Sequence, residues 1–173
     1  MKFELEKALE ILERTPFVLR TLLANLSPEW TENNEGLDTW SPYDVIGHLI
    51  HGENTDWIPR AKIILGDGPK EFEPFDRFAQ FENSKGKTIG QLLDEFDLLR
   101  KKSLEDLKRL NIQEEDLSKK GVHPQFGEVS LKNLLATWTA HDLGHIVQIS
   151  RVMAKQYKTE VGPWSEYLSV LIK

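Results

Sequence analysis

From Leu131 to about Tyr157 the chain runs without a proline and with one internal glycine, Gly144, and its apolar residues return at three- and four-residue steps. That pattern predicts one long helix opening after Ser130, with Gly162-Pro163 beyond it as a firm stop. A long helix with one apolar stripe has to be covered by other elements of similar reach. The rest of the sequence offers helices for this and no sheet. Nowhere do apolar and polar residues alternate over a strand's length with β-branched enrichment, although Gly121 to Ser130 has room for a short extended piece. With 173 residues, 39% of them apolar and 29% charged, the composition fits one globular domain over residues 1–173.

The other helices are marked by their punctuation. Phe3 to Leu26 carries Leu5, Leu9, Leu12, Leu19, Leu22 and Leu23 at helical spacings, with Thr15-Pro16 predicting a kink or a second start. Ser27-Pro28 and Thr31 to Gly36 read as a connection. Ser41, Pro42 and Asp44 form a capping pattern for a helix running towards Leu65, which Pro59 is expected to bend. Gly66 to Lys87 is long for a connection and holds Phe72, Phe75, Phe78 and Phe81, half of the 8 phenylalanines. Three-residue steps drift around a helix, so these rings predict a loop wrapped along the surface and pinned to the core, with a lid over a pocket as the alternative. Thr88 and Gln91 open another helix that ends near Leu110. Trp164 to Ile172 is read as a short terminal helix or a packed tail. Four or five helices with long connections result.

Charge and composition exclude several functions. Lys and Arg number 22 against 28 Asp and Glu, so the net charge is −6, which gives no general attraction to nucleic acid or anionic membrane. No apolar run is long enough to span a bilayer and the start lacks a signal-peptide stretch, so the protein is expected in the cytoplasm. With 0 Cys there is no disulfide, thiolate nucleophile or Cys-based metal site, and a metal would need His, Asp or Glu. No phosphate-cradling glycine loop, serine elbow or dinucleotide fingerprint is present. Arg100, Lys101 and Lys102 lie among acids and read as a solvated face.

Polar groups on the apolar face of the last long helix stand out. At 100° per residue, Leu134, Trp138, His141, His145, Ile149 and Val152 fall within roughly 80° of one another. His141 and His145 are one turn apart and can direct ring nitrogens at one ion. A third donor has to come from elsewhere: His48, beside Leu49 on the second predicted helix, with His51 in reserve, His123 in a loop before Pro124, or a carboxylate such as the remote Glu166. Asp142 reads as a solvated carboxylate or one that orients an imidazole, and Glu53 and His51 are further polar candidates. Trp138 is expected in the core and Trp40 as a staple on the helix that follows it. The alternative is that these imidazoles are ordinary core residues bonded to carbonyls.

Several segments together resemble the DinB-like superfamily. They are Trp40-Ser41-Pro42, His48-Leu49, Phe75-Asp76-Arg77-Phe78, the run from His123-Pro124-Gln125-Phe126-Gly127 into Trp138-Thr139-Ala140-His141-Asp142-Leu143-Gly144-His145, and the ending Gly162-Pro163-Trp164. The resemblance extends over almost the whole chain and implies an all-α, four-helix bundle with long connections, commonly dimeric. It further implies that one histidine of the second helix and a His-x-x-x-His pair of the last long helix bind a divalent metal, here His48, His141 and His145. It brings no single reaction, because the family includes transferases and isomerases that use bacillithiol or mycothiol, proteins labelled metal-dependent hydrolases, and members without established activity.

Three neutral imidazoles leave a metal position open, the layout of a catalytic site. The expectation is therefore a metal-dependent enzyme, a hydrolase or a thiol-dependent transferase acting on a small electrophile, with a low-molecular-weight thiol as a possible partner. The alternative is a non-catalytic metal- or small-molecule-binding bundle. All-imidazole ligation suits Zn, Ni, Cu or Fe, with Zn or Ni the leading choices. A homodimer would use apolar surface along the first and third helices.

Overall fold

Two prolines cut the first two arms of the molecule. In the computed structural model, which describes residues 1–172, α1 (Leu5–Leu12) and α2 (Thr15–Leu23) form one broken arm. Pro16 has no N–H to give to the carbonyl of Leu12, so the helix cannot continue through it, as the sequence predicts. After a single turn, α3 (Pro28–Thr31), comes the second arm, α4 (Pro42–Thr55) and α5 (Trp57–Leu65). The expected capping box closes α4: Asp44 N donates to Ser41 Oγ at 3.2 Å, and Ser41 N donates to the Asp44 carboxylate at 2.9 Å.

The break in this arm falls at Asp56 and not at Pro59. Pro59 withholds the N–H that the Thr55 carbonyl would receive, which stops α4, and it is itself accommodated in the first turn of α5. The short α6 (Ala79–Ser84) and the long α7 (Ile89–Arg109) follow, the latter capped by Thr88 and Gln91 as predicted. An antiparallel hairpin of β1 (Lys120–His123) and β2 (Gly127–Ser130) fills the segment that has room for an extended piece. The chain ends with α8 (Leu131–Lys155), a 3₁₀ turn over Gly162–Tyr167, and α9 (Ser169–Ile172).

Each broken arm packs on both long helices: α2 on α7 and α1 on α8, α4 on α7 and α8, α5 on α8 and α7. The core has two apolar clusters. One gathers Leu12, Trp57, Ile64, Leu104, Leu134 and Trp138, and the other gathers Leu19, Leu23, Ile46, Leu92, Phe96 and Ile149. Between Phe96 and Leu104 on α7 stands Arg100, whose expected place on a solvated face is wrong: it is 1% exposed. Its position four residues from each of those apolar neighbours puts it on the inward stripe.

Arg100 is the point where all four arms meet. Its Nε and Nη2 donate to Glu53 Oε1 at 3.0 and 2.8 Å, and Nη1 and Nη2 donate to Asp142 Oδ2 and Oδ1 at 2.6 and 3.0 Å. Nη1 also donates to the Leu12 carbonyl at 3.0 Å, the same carbonyl that Pro16 leaves without its helical donor. Trp138 Nε1 donates to Glu53 Oε1 at 3.2 Å, and the guanidinium lies 4.9 Å from the Phe96 ring centre and 5.1 Å from that of Trp138. Burial alone would lower the Arg100 pKa, but the Glu53 and Asp142 carboxylates outweigh it and hold the pKa above its ordinary value.

The Gly66–Lys87 connection is pinned as expected, but at one ring. Phe72 is buried, Phe72 N donates to the Val122 carbonyl at 2.9 Å, and Val122 N donates to the Lys70 carbonyl at 2.8 Å. The hairpin therefore lies flush on this ring, and Gly121 leaves no room for a side chain, since a Cβ there would meet Phe72 Cε1 at 2.5 Å. Phe78 and Phe81 are exposed.

Candidate metal centre

α4 and α8 bring His48, His141 and His145 together, the grouping that the family resemblance implies. His141 Nε2 lies 3.1 Å from His48 Nε2 and 3.1 Å from His145 Nε2, and the candidate ligand atoms of the three residues all fall within 4.8 Å of one another. The outer nitrogens explain why the inner ones are free. His48 Nδ1 donates to Gln80 Oε1 at 3.0 Å and His145 Nδ1 to Gln148 Oε1 at 2.8 Å. A glutamine oxygen can only accept, so each Nδ1 carries the proton and each Nε2 presents a bare lone pair.

Burial pushes the imidazole pKa of His48 down to about 4 and that of His141 to about 3, and the neighbouring imidazoles add to both shifts. Burial also lowers the pKa of His145. All three rings are therefore neutral at pH 7, the form that ligates.

With no ion bound, His141 Nε2–H can donate to a neighbouring Nε2 across these 3.1 Å contacts; with the His141 proton on Nδ1, all three Nε2 atoms turn lone pairs to one point. Ligand nitrogens held about 2.0–2.1 Å from a metal stand roughly 3.3 Å apart in a tetrahedron and roughly 2.9 Å apart at right angles, so the observed spacing fits a metal. The three-histidine group is thus suited to hold a divalent ion. His141 Nδ1 is buried with no hydrogen-bond partner.

The centre opens into a cleft of about 540 Å³ with His48 and His145 among its walls. Trp40 lines it, with ring centres 4.8 Å from His48 and 6.5 Å from His145, so this residue does more than staple α4. Phe75, of the Gly66–Lys87 connection, packs 5.4 Å from the His48 ring and covers one side, which gives that segment part of the lid character weighed for it. His123 and Phe126 of the hairpin stack at 4.5 Å on the other side. Asp56, Arg60 and Arg77 supply the charges. Asp56 Oδ1 is 2.8 Å from Arg60 Nη2, an ion pair approached off the N–H direction, so this oxygen has no hydrogen-bond partner. Burial pushes the Asp56 carboxyl up to about 6 although Arg60 pulls it down.

The other sequence candidates fall elsewhere. His51 packs 4.7 Å from Phe75 with Nε2 buried and unpartnered, outside the three-histidine group. Asp142 is neither solvated nor hydrogen-bonded to an imidazole: it faces away from the histidines beside it on α8 and binds Arg100. Glu53 is held by the same guanidinium and cannot serve as a free base. Glu166 is exposed in the 3₁₀ turn, and Trp138 is in the core. Sequence reasoning missed Gln80, Gln148, Asp56, Arg60 and Arg77. The i,i+4 spacing of Asp56 and Arg60 within an apolar stretch is the one local signal that could have marked a buried pair.

Fold and site define a helical bundle with a three-histidine group fit for a divalent metal at the floor of an open cleft. The chain belongs to the DinB superfamily, whose family model matches residues 11–149. Its structure is similar to that of YfiT from Bacillus subtilis, described as a probable metal-dependent hydrolase with an unusual four-helix bundle topology. The TM-score is 0.74 at 18% identity over 94% of this chain and 90% of that one, which establishes the shared fold. No curated protein matches the chain. No helix among the described residues is long and apolar enough to cross a membrane.

Proposed function

We propose that this protein is a metal-dependent hydrolase of the cytoplasm acting on a small molecule, with His48, His141 and His145 as ligands of Zn or Ni. The observation that carries the reading is the convergence of three imidazoles beside an open cleft, with His141 Nε2 3.1 Å from the Nε2 of each of the other two. A divalent ion held there supplies Lewis-acid activation of a nucleophile at neutral pH. Gln80 and Gln148 hold the imidazole tautomers that keep Nε2 free. Asp56, the one carboxylate among the cleft walls, has a pKa of about 6, close enough to neutrality to accept a proton from water and return it. Trp40, Phe75 and Phe126 exclude water from the apolar part of a substrate.

A thiol-dependent transferase is the second reading. A chain with 0 Cys must borrow its sulfur, and the cleft has volume for a thiol beside an electrophile. Elemental analysis of protein purified without chelator or nickel resin tests the centre. About one equivalent of metal per chain is expected, falling close to zero in His48→Ala, His141→Ala and His145→Ala. Full metal retention in all three variants would sink the assignment. Turnover of activated esters or amides without added thiol supports the hydrolase, whereas turnover that requires a thiol supports the transferase.

A further inference from the structure

We propose that the cleft above the histidines is an oxyanion-binding site in which Arg77 holds a carboxylate or phosphoryl-type group of a small aromatic or otherwise apolar ligand. This rests on the preceding reading for the location of the reacting end and names the substrate class that the cleft selects.

The molecule is acidic overall, at −6, yet the walls of this cleft carry two arginines, one aspartate and no lysine or glutamate. Asp56 lies 2.8 Å from Arg60, which also reaches the Glu73 carbonyl at 3.5 Å and lies over the Phe72 ring at 5.3 Å, so the charge of Arg60 is offset by its neighbour. Arg77 is left as the uncompensated cation. Among the described residues it pairs with no carboxylate. The adjacent Asp76 is occupied, because its Oδ1 accepts from Phe78 N at 2.9 Å and Ala79 N at 3.2 Å.

A planar guanidinium with no internal partner, facing a cleft, matches the bidentate geometry of carboxylate and phosphoryl oxygens. His123 adds a polar donor to the same walls. Its Nδ1 accepts from Gln125 N at 3.1 Å and Phe126 N at 3.3 Å, which leaves its proton on Nε2. Trp40, Phe75 and the His123–Phe126 stack provide flat apolar walls for the body of the ligand. Arg77 is exposed, so its charge stands at the opening of the cleft and raises the encounter rate of anions with a protein that otherwise repels them.

The test is calorimetric titration of the full chain with phenylphosphonate and with benzoate, using benzyl alcohol as the neutral comparison. Each titration is run on chelator-treated protein and again after loading with equimolar Zn²⁺, with zinc uptake measured separately. Anion binding to the metal-free protein is expected, weakened by about tenfold or more in Arg77→Gln and for benzyl alcohol, and unchanged in Arg109→Gln, which removes an exposed arginine outside the cleft. Tighter binding of one anion supports the proposal and assigns the oxyanion type. No anion binding in either state overturns it, as does equal weakening by the two arginine variants. Binding that needs Zn²⁺ and ignores Arg77→Gln would make the anion a ligand of the ion alone, overturning the proposal while leaving the metal centre intact. Arg77-dependent binding in protein that takes up no zinc would support the anion site and remove the metal reading.

Discussion

At the residue scale, the centre depends on which nitrogen of each imidazole carries the proton. Gln80 is 1% exposed and reaches His48 from α6, while Gln148 reaches His145 from within α8. Replacing either glutamine with leucine removes the acceptor that fixes the tautomer and should weaken metal binding about 10- to 100-fold without abolishing it, as a competition titration with a coloured chelator would read. The depressed pKa values also set a pH dependence of folding. His48 and His141 titrate at about 4 and about 3 in the folded chain, below the unfolded value of about 6.5. The unfolded state therefore takes up protons first as pH falls. The stabilisation is complete above about pH 6.5 and is lost as pH drops through the folded values, on the order of 2 kcal/mol per imidazole between pH 7 and pH 5. Urea denaturation of chelator-treated protein at these two pH values should show the loss, and His48→Gln should show less of it.

At the scale of elements, one guanidinium joins the two broken arms to the two long helices. Arg100 donates to Leu12 at the break of the first arm, to Glu53 on α4 and to Asp142 between the two histidines of α8. Arg100→Met would strand two buried carboxylates and should cost about 3–5 kcal/mol in urea denaturation. Adding Glu53→Gln and Asp142→Asn should recover part of that loss, since the penalty belongs mainly to the unpaired charges. If Arg100→Met alone were neutral, the guanidinium would not be holding the arms. The prolines act at this scale too. Pro16 and Pro59 each end a helix by withholding a donor, yet only the first break was readable at its true position, because Pro59 is tolerated inside the first turn of the helix it starts.

At the scale of the whole molecule, the bundle leaves apolar side chains on the outside of the first arm and of α7. Phe17 is 72% and Leu98 69% exposed, near an ion pair in which Arg20 Nη2 lies 2.6 Å from Asp94 Oδ1 and bridges α2 and α7. These residues match the face expected to serve a two-fold interface. Sedimentation velocity should find a species of twice the 20.0 kDa chain mass, and Phe17→Glu combined with Leu98→Glu should return it to the monomer. A parent protein that sediments as a monomer at micromolar concentration would rule the interface out. The open cleft is also a property of the whole chain, since its walls come from α4, α5, α8, the hairpin and the connection after α5.

The helices, their caps, the break at Pro16 and the histidines of α8 were legible because each depends on neighbours within a turn or two: a missing N–H, a side chain reaching three residues on, a repeat of four. The pairing of His48 with His141 and His145 became legible only through the resemblance of several segments to a family. Arg100 and Asp142 were misread because charge within a local window predicts exposure, and only the packing of four arms could supply the partners that make burial tolerable. Sequence supplies the charges of Arg77 and Asp56, and the four-residue step from Asp56 to Arg60 marks that pair, but that these side chains line one cleft with the histidines is decided only when α4, α5, the hairpin and the connection after α5 come together.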